Sequence, residues 1–239
     1  MANHQTLTPE EHRELRIRAE PGAELGDGVM ATLIIPEEFR RVQSEFPIVF
    51  RRTQEGETFV PLALFGFENG ENLFLSDGRW QARYRPLSLA IQPFLIGAPT
   101  DEGSEGQVHI DMDHPRISTS GEGIRVFDED SGTTPYLEQI AGQLGELHVG
   151  YQGTAAFIEA LERYELLEAF TLEVPLSDGS KQSLVGFHII KEDRLQQLDG
   201  DALGDLHSQG FLLPIFMAVA SLSHFSTLIE RKDAALGNG

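Results

Sequence analysis

FVPLALFGFENGENLFLSDGRWQARYRPLSLAIQPF, residues 59–94, sets short apolar or alternating runs between clusters of Asn, Asp and Gly. FVPLALFGF, NLFLS and WQARYRPL have strand length, and ENGEN (68–72) and SDG (76–78) punctuate them. Asn, Asp and Gly tolerate positive φ, so they supply the reversals that join antiparallel neighbours. PIVFRR (47–52) and the separator EGE (55–57) extend the pattern upstream. Residues 46–94 therefore read as a meander of antiparallel strands. Pro36 suits the first turn of a short helix over 36–44, where its missing N–H is no loss. Residues 1–28 are polar, with Gly22, Gly26 and Gly28 near their end, and read as a flexible lead-in.

Downstream, GAPTDEGSEG (97–106) reads as an acidic loop, followed by two short strands near 109–112 and 123–127. The second half turns helical. Thr134 before Pro135 is an N-cap and first-turn pair, with Leu137, Ile140, Leu144 and Leu147 on one face behind it. Thr154 is placed to cap a second helix carrying Phe157, Ile158, Leu161 and Tyr164. FTLEVPL (170–176) and SLVGFHII (183–190), joined by SDGSK, form a two-strand insertion. In the last helix Leu212, Phe216, Val219, Leu222, Phe225 and Ile229 make a stripe that faces a core or a partner helix, a route to a homo-oligomer. The fold class is α+β: a sheet-rich first half with helices from the second half packed on it. One domain spans 29–232, and 233–239 reads as a disordered tail.

A formal net charge of −20 makes nucleic acid and anionic lipid poor partners. With no cysteine, thiolate zinc sites, iron–sulfur clusters, disulfides and cysteine nucleophiles are excluded. The N-terminus lacks the basic and apolar regions of a signal peptide. The expected location is therefore the cytoplasm; the alternative is the cell surface, reached without a cleaved signal. The apolar run 211–222 is shorter than the ~20 residues of a bilayer-spanning helix, so no direct membrane insertion is expected.

HIDMDHP (109–115) is the nearest thing to a catalytic signature. On a strand, His109, Asp111 and Asp113 share one face. An H-x-D pair is how non-haem iron oxygenases present two metal ligands, and His188, with Arg194 beyond it, is the candidate third. That alternative implies Fe(II) and 2-oxoglutarate; the plainer reading is an acidic edge strand ended by Pro115. FDEDSG (127–132) matches only the opening of a calcium loop, with glycine one position early and Gln139 where the glutamate belongs, so a tight acidic turn fits better. GAELGDG (22–28) lacks the Lys-Ser/Thr of a phosphate loop and carries two acids. Trp80 and Tyr84, flanked by Arg79, Arg83 and Arg85, form the one basic, aromatic cluster. It is either packing at a sheet rim or, through Trp80, Arg83, Tyr84 and Arg85, a binding surface for an acidic group or peptide.

Several stretches, in order, resemble the SapC-like family, named after a bacterial surface-layer (S-layer) gene product. They are EFPIVF (45–50), the block 59–94 with its Gly-turn, Asn-Leu-Phe and Gly-x-Trp, RVFDEDSG (125–132), and LVGFHIIKEDRLQQLDGDALGDLHSQGFLLPIFMAVASLSHFSTL (184–228). The resemblance covers roughly residues 30–230. It implies bacterial origin and surface-layer biology, and a setting near tryptophan-halogenase-like flavoenzymes and outer-membrane receptors. It supplies no catalytic residues. Together these readings lead us to expect a non-catalytic protein that binds a protein or peptide without a cofactor, with the iron oxygenase as the alternative.

Overall fold

The computed structural model describes residues 3–53, 56–97, 107–177 and 179–237. The chain opens with β1 (His4–Thr6), a helical turn α1 (Pro9–His12) and β2 (Arg16–Ile17). β3 (Ala31–Leu33) leads through a 3₁₀ turn at Pro36–Glu38 into α2 (Phe39–Val42), then β4 (Ile48–Arg52) and β5 (Phe59–Leu64). A tight hairpin of β6 (Leu75–Ser76) and β7 (Arg79–Trp80) follows, then α3 (Leu87–Ala90) and β8 (Phe94–Ile96). β9 (Val108–Asp111) and β10 (Ile124–Arg125) complete the first half. The second half carries α4 (Pro135–Arg163) and the long strands β11 (Leu167–Pro175) and β12 (Lys181–Ile190). Four helices end it: α5 (Glu192–Gln196), α6 (Gly200–Ser208), α7 (Leu212–Ser221) and α8 (His224–Gly237).

The antiparallel α+β reading holds. The main sheet has the order β11-β12-β4-β5-β3, so the late hairpin joins the early meander, with Phe187 opposite Arg51 and His188 opposite Phe50. A second sheet has the order β1-β9-β8, and β10 pairs with β2. Two apolar cores result. Phe39, Phe46, Phe50, Phe65, Phe157 and Leu161 belong to the larger, beneath the main sheet; Ile17, Ile35, Phe94, Ile110, Ile140 and Leu144 belong to the smaller. α4 spans both. Its 29 residues extend about 44 Å, long enough for one end to cover each core.

Several expectations are corrected. Residues 3–28 are folded rather than a loose lead-in: His4 stands opposite Asp111, Ile124 opposite Ile17, and Ile17 and Leu25 are buried completely. α4 is one helix, not two. Thr154 does not cap; its hydroxyl donates to the Gly150 carbonyl at 2.8 Å, a back-bond that leaves the helix running. Thr134 does cap, accepting from the Leu137 N–H. The buried face of the last helical stretch is Ile215, Ala218, Ser221, Phe225 and Leu228, and Phe216 is 53% exposed. The run 211–222 is apolar on every side, so its periodicity does not select a face. α8 continues to Gly237, so the tail expected over 233–239 is mostly helix, with 238–239 outside the described residues. Most of the acidic loop, 98–106, is also outside them.

By length and composition alone, the helical stretch Leu212–Gly237 is apolar enough to cross a bilayer, longer than the run 211–222 suggested. It is built into this fold. α7 packs on β4, β12 and α2, and Ser221 Oγ accepts the Ile48 N–H at 2.8 Å. Lys232 on α8 is ion-paired with Glu68 (2.9 Å) and Glu71 (2.6 Å). Only 22% of its most apolar window is buried, so much apolar surface stays outside the core.

Candidate functional site

The segment from Trp80 to Arg85 is clamped from within and from behind. The Trp80 indole N–H donates to the Tyr84 carbonyl at 2.8 Å, and the ring packs on Phe46 and Phe65. Glu45 accepts the backbone N–H groups of Arg83 and Tyr84 at 2.7–3.0 Å. The Tyr84 hydroxyl donates to the fully buried Glu38 at 2.5 Å, and Glu38 also accepts from Leu87 (2.9 Å) and Ile35 (3.2 Å) N–H. Burial pushes the Glu38 carboxyl above the ordinary range, against those donors. Burial and the Glu38 charge push the Tyr84 phenol up strongly. Arg41 lies over the Tyr84 ring at 4.8 Å and pairs with Glu146 at 2.5 Å. Trp80 and Tyr84 are thus engaged in holding the chain, and Arg83 is exposed.

Arg85 turns the other way, into a buried ionic cluster. Asp27, fully buried, accepts from Arg85 at 2.6 Å, from Arg116 at 2.7 Å and from the Gly22 N–H at 2.9 Å. Arg116, 1% exposed, also donates to the carbonyls of Arg18 (2.7 Å) and Glu20 (2.9 Å). Sequence reasoning missed both Asp27 and Arg116. Asp27 sits in the stretch dismissed as a phosphate loop, and Arg116 follows directly on HIDMDHP.

The proposed metal triad is not brought together. β9 is the central strand of its sheet, paired with β1 and β8, rather than an edge. His109 contacts Thr6 Oγ1 at 3.3 Å and rests on Gly97, where a Cβ would meet its ring at 2.1 Å. Asp111 accepts the Asp113 N–H at 3.1 Å, closing the turn. His188 lies in the other sheet with its ring 4.7 Å from Phe59, and burial pushes its imidazole below the ordinary value. Among the described residues, no group of three or more His, Asp or Glu is arranged to hold a metal. FDEDSG is an acidic turn: Asp128 accepts the N–H groups of Asp130 (2.9 Å) and Gly132 (2.7 Å).

An open concavity lies elsewhere. A groove of about 470 Å³ opens between α4, α7 and the Pro36 turn, walled by Phe157, Phe211, Leu213, Pro214 and Met217. Gly153 forms part of its floor, and Glu37 and Arg40 stand at it. Leu213 and Phe216, each 53% exposed, continue the apolar surface along α7. No sequence pattern marked the groove; the stripe read as facing a core or a partner helix included Phe216, which is exposed.

These features define an antiparallel α+β protein with an internally clamped Trp80–Arg85 segment and an open apolar groove beside α7. The chain belongs to the SapC family, whose model matches residues 7–228, nearly its whole length. No curated protein and no solved structure matches it.

Proposed function

We propose that this SapC-family protein is a non-catalytic binding protein that engages a protein or peptide in surface-layer or outer-membrane-linked processes. The observation that carries this reading is the open apolar groove between α4 and α7. Exposed Leu213 and Phe216 are the kind of large apolar side chains that monomers rarely leave contiguous without a partner. The occupant we assign is an extended peptide segment with an aromatic or aliphatic anchor and basic flanks. Charge argues for it: at −20, a second copy of this chain is repelled and a basic segment is attracted. The proposed location is the cytoplasm, ahead of any passage to the cell surface without a cleaved signal.

Fluorescence anisotropy tests this with three labelled peptides that share a Phe-Leu anchor and differ in basic, neutral or acidic flanks. The basic-flanked peptide is expected to bind tightest. Leu213→Asp and Phe216→Asp each weaken it by ~10-fold or more, because a charge is placed against the desolvated anchor. Both positions are exposed, so the fold is expected to survive. Equal binding of all three peptides, or affinity unchanged in both variants, refutes the reading.

A further inference from the structure

A second cavity, of about 210 Å³, lies between the Arg85–Arg116 pair and the first half of α4. Its polar wall comprises Arg85, Arg116, Gln92, Gln143 and the Tyr136 ring. Each arginine reaches Asp27 through one terminal nitrogen, at 2.6 and 2.7 Å. Among the described residues, the Nε of each arginine and the amide oxygens of Gln92 and Gln143 are buried without a hydrogen-bond partner. Buried polar groups left this way are rare in folded proteins, and four on residues that line one cavity point to a ligand.

We propose that this cavity binds a small monocarboxylate. Two guanidinium groups face a single buried carboxylate, so the wall carries one unbalanced positive charge. The nearby Glu20 carboxylate is drawn aside by Arg18 at 2.8 Å. Each arginine keeps its Nε–H without a partner, and two separated N–H donors match the two oxygens of a planar carboxylate. The glutamines adapt to it, because an amide turned by half presents its NH₂ at unchanged shape. Gly26, at φ +98°, leaves room for the Gln92 amide; a Cβ there would lie 2.9 Å from its oxygen. Ala19, Ala90 and Ile140 also line the cavity and give it apolar surface suited to a short alkyl chain. A divalent phosphate fits less well, since one net positive charge leaves a second negative charge buried and unpaired.

Isothermal titration of the full-length protein with propionate tests this, with propionamide and inorganic phosphate as comparisons. Propionate is expected to bind with one site per chain, ~10-fold or more tighter than either comparison, as expected for hydrogen bonds to a charged group. Ala19→Phe, which fills the cavity from its rim, and Gln143→Leu, which removes an amide, are each expected to weaken propionate by ~10-fold. Neither removes a member of the Asp27 ion pairs, and Gln143→Leu is expected to leave the unliganded melting temperature unchanged. Absence of saturable propionate binding overturns the proposal. So does phosphate or propionamide binding equally well, or wild-type affinity in both variants.

Discussion

Replacing Asp27 by alanine removes the carboxylate that Arg85 and Arg116 share. Three hydrogen bonds are lost, from Arg85 at 2.6 Å, Arg116 at 2.7 Å and the Gly22 N–H at 2.9 Å. Arg85 retains some contact with water through its 20% exposed side chain, but Arg116 is 1% exposed and stays charged. Breaking a buried pair by removing one partner costs about 3–5 kcal/mol, chiefly because the survivor keeps an uncompensated charge. Two survivors place Asp27→Ala at the upper end, about 4–5 kcal/mol. In a chain of this length that is a fall in melting temperature of roughly 8–20 °C. Urea unfolding followed by circular dichroism measures it. The double variant Asp27→Ala/Arg116→Met removes the stranded charge and should be less destabilised than the sum of the singles by about 2 kcal/mol. Arg116 also holds the carbonyls of Arg18 and Glu20, so Asp27→Ala should expose residues near 18–27 to limited proteolysis before the rest of the chain. A loss below about 1 kcal/mol, or strict additivity in the double variant, would refute this reasoning.

Glu38 carries a pH signature. Its folded pKa is raised by burial above the 4.5 of the free side chain, so the folded state holds the proton more tightly than the unfolded one. Its contribution is fully present below pH 4.5 and is lost as pH rises through the folded value. The stability of Glu38→Gln relative to wild type should therefore improve as pH rises from 4.5 towards 7; parallel curves contradict it. Two glycines of α4 should behave oppositely in urea titrations. Gly145→Ala, with nothing within 4 Å of its Cβ, should stabilise by about 1 kcal/mol. Gly150→Ala, whose Cβ falls 2.2 Å from Ile35 Cδ1, should destabilise by about 1–3 kcal/mol despite the same gain in propensity. Thr134→Ala should lose about 1 kcal/mol as the Leu137 N–H loses its cap.

Local chemistry made some of this fold readable and left the rest hidden. Turn residues bounded the strands of the meander, SDGSK marked the β11–β12 reversal, and Thr134-Pro135 marked the start of α4. What was missed depends on distant pairing. β1 has three polar residues and becomes a strand only because β9, about a hundred residues away, offers it an edge. Thr154 looked like a cap because Ser and Thr favour that role, yet in the formed helix its hydroxyl turns back to Gly150. The binding surfaces were less legible still. Arg85 was singled out with Trp80, Arg83 and Tyr84 as one cluster, but the structure divides them. Trp80 and Tyr84 anchor the segment, Arg83 is exposed, and Arg85 joins partners on remote loops. His109, Asp111 and His188 have ligand chemistry, but the sheets that carry them are separate.

The central claim is that α7 and α4 form the docking surface. Amide NMR titration with the basic-flanked Phe-Leu peptide tests it most directly. The account predicts that the largest shifts fall on Phe211, Leu213, Phe216, Met217 and Gly153, with Trp80–Arg85 unmoved. Shifts centred on Trp80–Arg85, or none at saturating peptide, would contradict it.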